Sequence, residues 1–159
     1  MNTLCDGLRA RLDGFELDEP GAPLPFSARL ARENGWTLAY TGRVIREYKR
    51  FLYLTAVAGH TVTPSEEVDQ AWHLHMVYTR SYWDKLCGQT LGRPLHHDPT
   101  SGGRAEGEKF QGFYTQTLES YRREFAEEPP SDIWRPPGKR FAPSASQWVD
   151  RSRYWVVPR

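Results

Sequence analysis

Hydrophobic side chains return at steps of three and four along most of this chain, and short Gly- and Pro-rich stretches interrupt them. That period matches the turn of an α-helix and predicts a mainly helical fold. The first such stretch covers residues 4–12 and ends near Gly14. Residues 16–25 hold three prolines and a glycine and read as a loop. Residues 26–34 read as a short helix stopped by Gly35. From Gly42 to about residue 57, Val44, Ile45, Tyr48, Phe51 and Leu52 form one stripe, while Arg43, Arg46, Glu47, Lys49 and Arg50 fill the other face. This is an amphipathic helix with one buried side, which Gly59 ends.

The stretch Thr63-Pro64-Ser65-Glu66 predicts the next helix start. Thr63 is assigned as the N-cap, Pro64 as the first helical residue, and Glu66 as the acid of a capping box. That helix should reach residue 76 or 77. Another is expected over 80–87, ended by Gly88 and Gly92, followed by a Gly- and Pro-containing loop over 91–103. The longest periodic run is 106–125, where Phe110, Tyr114, Leu118, Tyr121 and Phe125 share a face and Pro129-Pro130 stops the helix. The tail, 131–159, is rich in Pro and aromatic residues. It is expected to lie over the helices through Trp134, Phe141, Trp148, Tyr154 and Trp155, with 155–158 a short strand or an extended strap. Together these elements predict a mainly α fold: an irregular bundle of about five or six helices with an extended C-terminal strap. One domain spanning 1–159 is expected, since 159 residues suffice for a proper core.

Composition narrows the function classes. Lys and Arg number 21 against 20 Asp and Glu, with no basic block, so nucleic acid is not an expected partner. The cations at 43–50 read as a solvated helix face. Cys5 and Cys87 are the only cysteines, which excludes a Cys-rich zinc site and argues against a disulfide framework. Cys87 reads as a small buried hydrophobe. No apolar run approaches the roughly 20 residues of a membrane span, and the N-terminus lacks a signal-peptide pattern. A soluble, reducing, cytoplasmic setting with no membrane partner is therefore expected.

The candidate chemistry sits in Asp69-Gln-Ala-Trp72-His73-Leu-His75, followed by His96-His97-Asp98. Four of the five histidines fall in these two clusters. At about 100° per residue, Asp69 and His73 share a helix face with Trp72 beside them, whereas His75 joins the apolar stripe of Val68, Ala71 and Trp72. An undistorted helix cannot therefore offer His73 and His75 to one metal. Asp69 and His73 can instead combine with His96 or His97, because two His and a carboxylate suit zinc or non-haem iron. Without a metal, Asp69 can set the tautomer of His73 as a general acid or base, with Tyr78 or Tyr82 as proton partner. Plainer readings stand beside these. Asp69–His73 can be a surface pair worth a few tenths of a kcal/mol. His75 can be a satisfied core histidine, His60 a surface or capping residue, and Trp72 and Trp83 core.

The pattern Pro64-Ser65-x-x-Val68-Asp69-x-x-Trp72-His73-x-His75, then Tyr82, Gly92 and Leu95-His96, resembles the glycine-rich domain-containing protein-like family of plants, fungi and bacteria. Tyr48-x-x-Phe51-Leu52 upstream and Thr117-Leu118-x-x-Tyr121 through Ile133-Trp134 downstream extend the resemblance over about 36–134. The resemblance implies that the family's Asp, Trp-His-x-His, Tyr and later His fall on Asp69, Trp72, His73, His75, Tyr82 and His96, favouring His96 over His97. No glycine-rich tract of the naming kind lies in this sequence, so an activity of the helical core is the expectation. The expected function is a small enzyme in which His73, Asp69 and Tyr82 act on a small molecule by hydrolysis or a proton-transfer rearrangement such as cyclisation. Trp72, Tyr78 and His75 would line the pocket, and His73, His96 and Asp69 would hold zinc or iron. The alternative is a non-catalytic module that binds a protein partner and uses the same residues as a structural network.

Overall fold

The computed structural model describes residues 3–98 and 104–140, with side chains over 7–98 and 109–140. The expected Phe141, Trp148, Tyr154 and Trp155 of the strap, and its 155–158 segment, lie outside the described residues. The chain runs through α1 (Thr3–Asp13), α2 (Phe26–Asn34), α3 (Leu38–Val57), α4 (Glu66–Val77), a π-helix (Arg80–Leu91), α5 (Arg104–Phe125) and the one-turn α6 (Pro137–Arg140). No strand occurs among the described residues, so the mainly α expectation holds.

α3 is the central helix, packed by α1, α2, α4 and α5. Of its predicted stripe, Val44, Tyr48, Phe51 and Leu52 are fully buried and Ile45 is partly buried. The helix begins four residues before Gly42, the start read from the pattern. Thr37 accepts a hydrogen bond from the Tyr40 N–H and caps it, while exposed Leu38 contributes nothing to the apolar stripe that marked the helix.

α4 starts at Glu66, and its cap is Ser65, not Thr63: the Ser65 hydroxyl accepts the Val68 N–H at 3.2 Å. Thr63 instead donates its backbone N–H to the Thr117 hydroxyl, tying the loop to α5.

The segment after α4 departs most from expectation. Gly88 does not end it; the coil continues to Leu91 as a π-helix and stops at Gly92, whose φ of 68° is the left-handed conformation glycine tolerates. The wider winding is visible in the Gly92 N–H bonding to the Cys87 carbonyl and the Thr90 hydroxyl bonding to the Lys85 carbonyl, each five residues back. A side-chain carbon at Gly88 would come within 3.3 Å of the Trp83 carbonyl, so glycine suits a position inside this coil. Trp83 is 42% exposed rather than core.

Beyond α5, Ala126 takes a positive φ of 52° and the chain turns back. Trp134 is buried and donates its indole N–H to the buried Glu47 of α3 at 2.8 Å. Arg43 grips Asp132 with two bonds of 2.7 and 2.8 Å. The start of the expected strap thus packs over the helices, through Ile133 and Trp134.

Candidate functional site

The two faces of α4 carry different chemistry. On the inner face His75 is fully buried. Its Nδ1 meets the Tyr48 hydroxyl and its Nε2 the Ser81 hydroxyl, each at 2.9 Å. A neutral imidazole offers one donor and one acceptor, and two hydroxyls can complement either tautomer. Burial disfavours the charged ring and pushes its pKa down to about 4. This is the satisfied core histidine, ringed by Phe15, Phe26, Tyr48 and Tyr82.

On the outer face Asp69 and His73 sit one turn apart, with His73 Nδ1 3.8 Å from Asp69 Oδ2. The third member arrives from the loop after Gly92. That loop is held at two points: Arg93 donates to the Thr55 carbonyl at 2.6 Å, and the Tyr82 hydroxyl donates to the Leu95 carbonyl at 2.5 Å. Tyr82 also accepts the Trp72 indole N–H at 2.8 Å. The chain of bonds Trp72–Tyr82–Leu95 thereby fixes the loop against α4 and brings His97 Nε2 to 2.8 Å from Asp69 Oδ1. The His97 ring rests on Trp72 with centroids 4.3 Å apart and faces the His73 ring at 4.4 Å.

One ligand atom each from Asp69, His73 and His97 lies within 4.8 Å of the others. Two imidazoles and a carboxylate bind zinc with an open position, or iron with several. His73 is about half exposed and the other two are partly buried, so solvent reaches one side of the group. The same geometry serves proton transfer, since Asp69 can orient His97 through their short bond.

Not every expected residue joins this group. His96, favoured by the family resemblance, points away and lies 5.7 Å from the Trp83 ring. An extended loop alternates sides, so the partly buried Leu95 and His97 face inward together while His96 and Asp98 face out. That alternation, anchored on the apolar Leu95, was a usable sequence signal for His97. Tyr82 is fully buried, its phenol pushed up to about 12 by burial and engaged at Trp72 and Leu95. It positions the loop rather than meeting solvent. Tyr78 closes α4 and packs edge-on against Phe26, with the Arg29 guanidinium over its ring. Trp72 forms the floor under His97. His60 bridges to α5 through the Ser120 hydroxyl at 2.7 Å. Cys87 is buried, and desolvation raises its thiol pKa, as befits a core residue.

The described residues thus form a helical bundle that gathers one carboxylate and two imidazoles at a helix–loop junction. The sequence profile of the UCP032817-like family matches residues 26–126, and the chain belongs to that family. Glycine-rich domain-containing protein 1 of Arabidopsis thaliana is 26% identical over 106 residues, covering 64% of this chain and 13% of the plant protein. Glycine-rich domain-containing protein 2 of the same plant is 28% identical over 112 residues, covering 64% of this chain and 14% of its own. The chain thus spans about one-seventh of the length of these relatives. The resemblance read from the motifs is therefore sound. No solved structure matches the chain. No helix among the described residues is long and apolar enough to cross a membrane.

Proposed function

We propose that this protein is a small enzyme whose centre is Asp69, His73 and His97, with zinc or iron as the metal they would hold. The observation that supports this reading is the convergence of the three ligand atoms within 4.8 Å, on a side open to solvent. The metal would act as a Lewis acid, or activate water for hydrolysis of a small molecule. Without a metal, the Asp69–His97 pair would move a proton in a rearrangement or cyclisation. Trp72 and the Tyr82–Leu95 bond would keep His97 in place in either case. His96 is left out of this proposal on geometry.

The test is elemental analysis of untagged protein purified without chelator. Wild type and His96→Ala should carry about one equivalent of zinc or iron, the share of one three-residue ligand set. His73→Ala and His97→Ala should carry none. A folded wild type without metal would end the metal form and leave proton transfer.

A second reading has its own observation. Trp72, His75 and Tyr82 are all engaged in buried hydrogen bonds, as a structural network in a protein-binding module would be. Under it, His73→Ala and His97→Ala would change neither metal content nor small-molecule binding.

A further inference from the structure

A second site lies away from the histidines. Along α3, positions 42, 45, 46, 49, 50 and 53 form one face, and opposite them stand Arg9, Leu12 and Asp13 of α1 and Phe125 at the end of α5. They enclose a cleft of about 420 Å³. Four cationic side chains, Arg9, Arg46, Lys49 and Arg50, line it against one carboxylate, Asp13. The basic half of α3, which reads as a solvated face in sequence, is therefore in large part a cleft wall.

The four cations differ in how they are held. Arg50 is fixed by Glu127 at 3.0 Å, Glu47 at 3.5 Å and the Tyr121 hydroxyl. Lys49 gives one N–H to the Asp13 carbonyl at 2.8 Å and has two left. Arg46 and Arg9 have no ion pair among the described residues, and Arg9 lies over the Phe125 ring at 5.2 Å. Arg50 lies over the same ring at 4.9 Å. Two guanidinium groups are thus held beside one aromatic ring, Arg50 neutralised by Glu127 and Glu47 and Arg9 without an ion pair among the described residues. An anion placed there would meet Arg9, Arg46 and Lys49 with charge-assisted hydrogen bonds. The rest of the wall is apolar: Leu12, Ile45, Tyr53 and Phe125.

We propose that this cleft binds a small organic anion, a carboxylate or phosphate ester carrying a flat apolar body. The volume falls in the range of small-molecule sites, beyond the needs of a lone inorganic ion. The anionic group sits among Arg9, Arg46 and Lys49, and the body lies against Tyr53 and Phe125. None of these residues belongs to the Asp69–His73–His97 group, so the two sites stand or fall separately.

The test is isothermal titration of the whole chain with naphthoate and with its neutral counterpart naphthylmethanol. Naphthoate should bind about tenfold more tightly, the difference one charge-assisted contact makes. Arg46→Glu, an exposed change, should weaken naphthoate by about tenfold or more and leave the melting temperature in place. Arg9→Gln should weaken it by a smaller factor, and His97→Ala should leave it unchanged. Equal affinity for the two probes overturns the proposal. So does the absence of naphthoate binding at millimolar concentration, or binding lost in His97→Ala and kept in Arg46→Glu.

Discussion

His73 and His75 stand two residues apart on α4, and a rotation of about 200° sends them into different environments. His75 is sealed among aromatic rings, with both nitrogens engaged and its charge suppressed. His73 is about half exposed, 3.8 Å from Asp69, with His97 stacked beside it. The same side chain therefore does opposite work on the two faces. The inner ring is fastened by the fold, whereas the outer ring stays about half exposed beside Asp69 and His97. The difference teaches that histidine density alone says little; the angular position on the helix decides which imidazole can act.

The largest effect should come from breaking the inner face. His75→Ala leaves a cavity and strands the Tyr48 and Ser81 hydroxyls, for a loss on the order of 3 kcal/mol. His73→Ala should stay within about 0.5 kcal/mol of wild type. Urea unfolding of both variants measures the contrast, and similar losses would erase the distinction between the faces.

pH gives a comparable handle. The His75 ring takes up a proton near its ordinary value of 6.5 when unfolded but only at about 4 when folded. The unfolded state thus binds more protons between those values. The contribution is fully present above pH 6.5 and lost as pH falls toward 4, by on the order of 3 kcal/mol. Stability measured across pH 4–7 should fall less steeply in His75→Gln, which has nothing to titrate. Parallel profiles would assign the acid sensitivity to other groups.

Tyr82→Phe tests the link between the faces. It removes the hydroxyl that joins Trp72 to the Leu95 carbonyl, and should lower stability by about 1–3 kcal/mol. If the outer group holds metal, the loosened His97 should also lower metal affinity by about tenfold, read by competition with a chelator. Unchanged metal affinity would mean that the loop is held without Tyr82. The smallest effects concern the start of α4. Ser65→Ala should lose about 1 kcal/mol, while Thr63→Val should be nearly neutral. The Thr63 hydroxyl has no hydrogen-bond partner among the described residues, and its backbone bond to Thr117 survives the change. A reversed order of melting temperatures would restore Thr63 as the cap.

Periodic elements were legible because burial and helical geometry act on neighbouring residues. The Val44-to-Leu52 stripe, the Gly35 stop and the run to Phe125 follow from local spacing. The separation of His73 from His75 follows from the same rule. What depended on distant partners was not legible. Glu47 reads as part of a polar face, yet the indole of Trp134, far along the chain, draws it into the core. The loop histidine of the outer group also escaped: alternation from apolar Leu95 pointed to His97, but the anchoring of Leu95 by Tyr82 that makes this decisive depends on a distant partner. Thr63 matched a cap by type, but its backbone N–H is drawn to Thr117 of α5, far along the chain, and Ser65 caps the helix instead.

The π-helix at Arg80–Leu91 bears on how the chain should be aligned with its relatives. Such a coil is an α-helix with surplus length wound into it. A relative one residue shorter between positions 80 and 91 is expected to rewind that stretch as an ordinary α-helix. The wide winding takes up the surplus locally, so the segment after Gly92 would leave in nearly its present direction. Leu95 would stay within reach of the Tyr82 hydroxyl, and a histidine two positions later within reach of Asp69. A single gap in that window is therefore compatible with the outer-face group, and an alignment should admit it there.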